Sequence, residues 1–154
     1  MATIEMRPIG VVRGGRTAAI DDDWGAVPCR IELDPEVVTP DATLGLDGFS
    51  HIEVVFVFNG VDPDQVHRGA RHPRSRSDWP LTGILAQRAK DRPNRIGSTV
   101  CDLVSVSGLT IEVVGLDAID GSPVLDIKPY MIGFAPRGEV CEPTWATELM
   151  AEYW

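Results

Sequence analysis

Apolar residues alternate with polar ones, or run together, in seven short stretches: Ile9 to Arg13, Cys29 to Leu33, His51 to Phe58, Gly83 to Gln87, Ser98 to Val106, Leu109 to Val114 and Val124 to Ile127. A period of two over four to nine residues is the signature of strands with one buried face. Only Ser107-Gly108 separates the fifth stretch from the sixth, which predicts a tight hairpin. Asp120-Gly121 predicts a second turn leading into the last strand. Helical signals are confined to a short turn near Pro35 to Val38 and to the segment from Trp145 to Trp154, which Thr144 is placed to cap. This pattern predicts a mainly β fold, a single closed or nearly closed antiparallel-rich β-barrel with few short helices, because closure removes the exposed edges an open sheet leaves. An open α+β sheet is the alternative. A chain of 154 residues is long enough for one such domain with a buried core and too short for two comfortable ones.

One region breaks the pattern. From Asp62 to Pro80 the chain carries Pro63, Pro73 and Pro80, many arginines and almost no apolar periodicity, so it reads as a long loop of the kind that is usually functional. Charge sharpens this picture. The net charge of −9 speaks against a nucleic-acid partner until its distribution is considered. Arg68, Arg71, Arg74, Arg76, Arg88, Lys90, Arg92 and Arg95 fall within one segment that holds only two acids, Asp78 and Asp91. A basic element in an acidic body can catch an anionic ligand locally; the competing reading is a solvated loop whose arginines pair with nearby carboxylates.

The rest of the composition excludes more than it indicates. The longest apolar run, Val54 to Phe58, is too short to span a bilayer, and the first residues lack the apolar core of a signal peptide, which leads to the expectation of a cytoplasmic protein. Cys29, Cys101 and Cys141 fit neither a disulfide framework nor a metal or redox pair and are expected to be free, mostly buried thiols. His67 and His72 lack the spacing of helical zinc pairs, and no metal is expected. His51 opens an apolar stretch and is read as a core histidine. There is no Gly-x-Gly-x-x-Gly, no phosphate-binding P-loop and no Gly-x-Ser-x-Gly, so a nucleotide-like cofactor here would not lie in a Rossmann crevice.

Two segments carry candidate chemistry. Gln87 to Ser98 offers guanidinium groups that fork onto carboxylates or phosphates, the Asn94 amide, and Gly97 for close backbone approach, although a plain turn has the same composition. Gly115 to Tyr130 holds Asp117, Asp120 and Asp126 with Lys128 and Tyr130; Asp126 and Lys128, two apart in a strand, point the same way and can simply pair.

Pro8 to Val12, Gly48 to Ile52, Arg92 to Gly97 and Leu116 to Tyr130, taken in this order and spacing, resemble the TsaA-like (YaeB/TrmO) family of methyltransferases. The resemblance spans about residues 6–130, making residues 1–154 one domain with 131–154 as a C-terminal extension. It implies a β-barrel enzyme that uses S-adenosyl-L-methionine (SAM) outside the Rossmann class, usually as a homodimer with the cofactor near the subunit interface. The best-known members methylate N6 of threonylcarbamoyladenosine beside the tRNA anticodon. Matching positions place Trp24, Gly25, Ala26, Asn59, Gly60, Arg88, Ser98, Leu116, Asp117, Ala118 and Ile119 around the cofactor. For an adenosine amine, Asn94 or Asp126 would accept its hydrogen bonds and Tyr130 would stack on the base, while Arg71, Arg74, Arg76, Arg92 and Lys128 would hold the substrate. Neutralising Arg71, Arg74 and Arg76 together is then expected to leave SAM affinity almost unchanged. The sequence departs from a frequent family form at Gln87-Arg88-Ala89 and at Arg95, and it ends at Trp154 without the further domain some members carry. Methylation of a small metabolite and a non-catalytic SAM- or RNA-binding module are the alternative functions.

Overall fold

The computed structural model describes residues 2–154, so Met1 lies outside the described residues. Its strands are β1 (Gly10–Arg13), β2 (Pro28–Leu33), β3 (His51–Val57), β4 (Ala70–Arg71), β5 (Thr82–Gly83), β6 (Ile96–Ser107), β7 (Thr110–Val114) and β8 (Pro123–Pro129). Six of them close into an antiparallel barrel in the order β1-β2-β7-β6-β3-β8, with β8 returning to pair with β1. The period of two sets the two faces: Ile52, Val54 and Phe56 of β3 are fully buried, and the residues between them point outward. Val12, Ile31, Ile111, Val113, Leu116 and Val124 complete the interior. Burial of each such side chain is worth about 1.5–3 kcal/mol, so the filled interior rather than any one polar contact holds the barrel together.

The β6–β7 hairpin turns at Gly108-Leu109, one residue beyond the expected pair, with Ser107 opposite Thr110. Gly108, at φ 56°, occupies the first turn position, where a glycine suits a tight hairpin. Residues 83–87 do not form the expected strand. Only Thr82–Gly83 pairs, with Ala70–Arg71, in a ribbon separate from the barrel, and Ile84–Ala86 is a 3-10 turn. Ile84 and Gln87 are buried while Leu85 and Ala86 face solvent, the spacing of three that a 3-10 turn produces. His51 is not a core residue: it lies on the outer face, where Nδ1 is 2.7 Å from Ser50 Oγ and Nε2 is 2.8 Å from Asp102 Oδ1. Cys29 and Cys101 are buried, which pushes their thiols up to about 11 and about 12, whereas Cys141 is exposed.

The single α-helix among the described residues, α1 (Thr144–Met150), begins with Pro143 in the N-cap position and no side-chain cap, so Thr144 is its first helical residue rather than its cap. Residues 142–154 do not trail away from the barrel. The amides of Asp23 and Trp24 donate to the carbonyls of Glu152 (2.9 Å) and Tyr153 (2.8 Å), and the Trp79 indole N–H donates to Glu148 Oε2 at 2.7 Å. Gly25 is the seat of this return, because a Cβ there would come within 2.6 Å of the Trp154 carbonyl carbon. No helix among the described residues is long and apolar enough to cross a membrane.

Candidate functional site

A cleft of about 1610 Å³ opens where β3 ends and β6 and β8 begin. Its floor is made by the turn after β3, the first residues of β6 and the link between β7 and β8. The segments on either side of β5 cover it, and residues 142–154 form a wall. Local packing explains the floor. Gly97 lets the ring of the fully buried Phe56 press against the β6 backbone, since a Cβ there would lie 2.5 Å from Phe56 Cζ. Asn59 ties two loops together, its amide nitrogen donating to the Gly121 carbonyl (3.2 Å) and its oxygen accepting from the buried Ser122 hydroxyl (3.2 Å).

The lip between β5 and β6 is built by side chains that bond to backbone. Gln87, almost fully buried, donates to the carbonyls of Arg71 (3.1 Å) and Thr82 (2.8 Å). Arg92 donates to Gln87 O at 2.8 Å and Arg95 to Val61 O at 2.7 Å. Asn94 and Arg95 adopt left-handed φ values of 64° and 53°, a conformation that asparagine tolerates and arginine rarely takes, so the surrounding bonds hold this lip in a strained shape.

The electrostatics divide the basic segment in two. Arg71 grips Asp91 with two 2.5 Å bonds, Arg74 grips Asp22 at 2.6 and 3.1 Å, and Arg76 pairs with Asp78 while lying 4.0 Å above the Trp79 ring. These cations fasten the loop. Arg88, Lys90 and Arg92 line the cleft without an ion pair among the described residues, and Arg88 donates to the Ser98 carbonyl. The Asp117 carboxylate at the back of the cleft accepts from the hydroxyls of Thr99 and Tyr153, one on each oxygen. Burial, and then the charge of Asp117, hold the Tyr153 phenol well above its ordinary range, so it remains a donor.

Residues 22–134 match the model of the tRNA-methyltransferase O N-terminal domain. The chain belongs to this family. The tRNA (adenine(37)-N6)-methyltransferase of Escherichia coli K12 is 36% identical over 140 residues, covering 85% of this chain and 59% of that protein. The human protein of the same name is 38% identical over 114 residues, covering 74% and 24% respectively. A Methanothermobacter thermautotrophicus protein named as a probable S-adenosyl-L-methionine-binding protein is 37% identical over 134 residues, covering 82% of this chain and 90% of its own length. Among solved structures, TrmO from Pseudomonas aeruginosa superposes with a TM-score of 0.70 at 27% identity, over 90% of this chain and 61% of that one. The chain thus spans under two thirds of the E. coli and human relatives it matches.

Within this tRNA-methyltransferase O domain, the cleft gathers Trp24, Asn59, Gly60, Arg71, Arg74, Arg88, Arg92, Asn94, Ser98, Asp117 and Ile119 of the residues singled out from sequence. The others lie elsewhere. Leu116 and Ala118 are buried in the barrel interior, Gly25 faces Trp154, and Ala26 is exposed outside the cleft lining. Asp126 and Lys128 pair with each other on the outer surface of β8, where strand alternation directs both away from the interior. Tyr130 follows the far end of β8, its amide bonded to His51 O, and Arg76 is engaged with Asp78. Sequence reasoning missed Thr99, Trp145, Met150 and Tyr153, which also line the cleft. The helical signal after Thr144 marked an element there, but nothing local tied it to Asp117. Among the described residues, no group of three or more His, Cys, Asp or Glu side chains is placed to hold a metal ion.

Proposed function

We propose that the protein binds SAM in this cleft and transfers its methyl group to N6 of adenosine 37 in tRNA, the threonylcarbamoyl-modified nucleoside beside the anticodon. The observation that carries the reading is the convergence of Asn59, Arg88, Ser98 and Asp117, from four separate segments, on one cleft of a tRNA-methyltransferase O barrel. The residues present suit the cofactor: Asp117 is an acceptor for hydroxyl or ammonium donors, Arg88 brings a guanidinium without an ion pair among the described residues for a carboxylate, and Phe58, Ile119 and Trp24 offer apolar surface. Ligand pockets commonly measure about 300–1000 Å³, so this larger cleft has room for a second substrate beside the first.

When bound, SAM supplies a methyl carbon on a cationic sulfur. Transfer to N6 would leave S-adenosylhomocysteine as the other product, and the N6 proton would pass to water in the open cleft. The chain's part is alignment. Asn94, which lies on the strained lip and lines the cleft, would accept a hydrogen bond from the N6 hydrogen. Asp126 and Tyr130, on the outer face and far end of β8, do not reach that position within one copy of the chain.

Mass spectrometry of tRNA nucleosides from a deletion strain tests the reaction: loss of the N6-methylated nucleoside is the expected result, and its persistence would sink the proposal. The cations outside the ion pairs make a second prediction. Changing exposed Arg68 and Lys90 together to alanine should reduce the slope of log affinity for tRNA against log salt by roughly 1.4 to 1.8, the loss of two phosphate contacts. Equal slopes would deny these residues that role. The triple change at Arg71, Arg74 and Arg76 is no longer expected to spare cofactor binding, since two of these arginines line the cleft and all three fasten the loop that covers it.

The protein is further proposed to be a cytoplasmic homodimer. Exposed apolar Val104, Met131, Ile132 and Phe134 lie towards the barrel end opposite the cleft and support a self-association surface there, away from the cofactor rather than beside it as the resemblance implies. A sedimentation mass near the 16.8 kDa of one chain at micromolar concentration would contradict this.

A further inference from the structure

We propose that Tyr153 is a positioning residue of the cofactor site, holding the Asp117 carboxylate for ligand donors through a hydrogen bond supplied by the returning segment 142–154. The inference rests on the SAM-binding reading above. It starts from geometry the family match does not cover, because Tyr153 lies beyond the matched residues 22–134. Both Asp117 oxygens are engaged by hydroxyl donors, Thr99 from β6 and Tyr153 from the wall, and all three residues line the cleft. An ionised carboxylate accepts about four hydrogen bonds, so two hydroxyls fix its plane and leave acceptor sites for ligand hydroxyl or ammonium groups.

The wall itself is anchored independently of Tyr153's hydroxyl. Backbone bonds join Glu152 and Tyr153 to Asp23 and Trp24, Trp154 sits on Gly25, and the Trp79 indole holds Glu148. Removing the hydroxyl alone therefore leaves the segment docked. Thr99 cannot replace it, since its own hydroxyl already serves the other oxygen. The high ionisation point of the phenol, set by burial and then by Asp117, and opposed by the charges of Arg88 and Arg74, keeps it a donor wherever the enzyme works.

Tyr153→Phe keeps the ring and removes the donor. Calorimetry should show the Kd for SAM raised about tenfold, as expected for losing a hydrogen bond to a charged group. Asp117→Asn should also weaken SAM, and the double variant should bind no more weakly than Asp117→Asn alone, because Tyr153 acts through Asp117. Wild-type affinity in Tyr153→Phe, or losses that multiply in the double variant, would overturn the proposal. A second measurement needs no ligand. In urea unfolding, the stability lost by Tyr153→Phe and by Asp117→Asn should not add in the double variant, because each change removes the same bond. A wild type that binds no SAM overturns the function proposed above, and the pairing is then judged by this stability cycle, with additive losses overturning it.

Discussion

Replacing Arg88 by alanine is expected to weaken SAM binding by about ten- to a hundredfold, the range for losing a charge-assisted hydrogen bond to a ligand, while leaving the fold intact. Arg88 is exposed in the cleft and has no ion pair among the described residues, so its charge is not already spent on a carboxylate. Among the described residues its side chain bonds to the Ser98 carbonyl, which places the guanidinium over the start of β6, in the same cleft as Asp117. That bond fixes direction, and the remaining N–H groups are left to fork onto an anionic ligand group. Lysine should rescue poorly, since a single ammonium cannot reproduce the fork. Calorimetry with a chelator present, on wild type and Arg88→Ala, is the measurement; an affinity within twofold of wild type would remove Arg88 from the site.

The largest expected effect on stability belongs to Gly97. A methyl group there would meet three Phe56 ring atoms at 2.5, 2.7 and 2.9 Å, and Phe56 is fully enclosed, so the ring has no space to retreat into. Overpacking of this kind costs about 2–3 kcal/mol, read as a lowered midpoint of urea unfolding with an unchanged slope. Because Ser98 and Thr99 follow directly, residual folded Gly97→Ala should also bind SAM more weakly. Gly83→Ala is the control: a Cβ added there would meet nothing within 4 Å, and stability should stay within about 0.5 kcal/mol of wild type.

The barrel was legible because its strands alternate cleanly. In β3 every second residue is buried, and that signal is local. The hairpin slipped by one residue because both Ser107-Gly108 and Gly108-Leu109 place the glycine in a two-residue turn, and the register that pairs Ser107 with Thr110 is fixed by the barrel, not by the turn. Residues 84–87 misled because adjacent apolar residues fit a buried strand as well as a 3-10 turn. His51 misled for a related reason: an apolar stretch with alternating burial puts its first residue outside, not inside.

For the site, the resemblance reached residues that the chain itself brings together, such as Arg88, Ser98 and Asp117. It also carried along Leu116 and Ala118, which share a stretch with Asp117 but point into the barrel. The basic segment supported two readings, and the structure bears on one of them: Arg71, Arg74 and Arg76 are paired structural cations, while Arg68, Arg88, Lys90 and Arg92 have no ion pair among the described residues. Charge counting cannot separate them, because each pairing depends on a carboxylate placed by the fold, Asp22 being 52 residues from Arg74. The bond from Tyr153 to Asp117 was invisible for the same reason.

The position of β8 has a consequence for how the molecule is made. It lies between β1 and β3 and closes the barrel, so no register of the earlier strands can seal the sheet before residues 123–129 have emerged from the ribosome. Pairing across such sequence distances forms late and slowly compared with the local β6–β7 hairpin. The wall that completes the cleft is synthesised later still. A nascent chain short of residue 142 can close the barrel but lacks the wall of the cleft, so ligand binding cannot assist its early folding and acts only as a late clamp on a structure already formed.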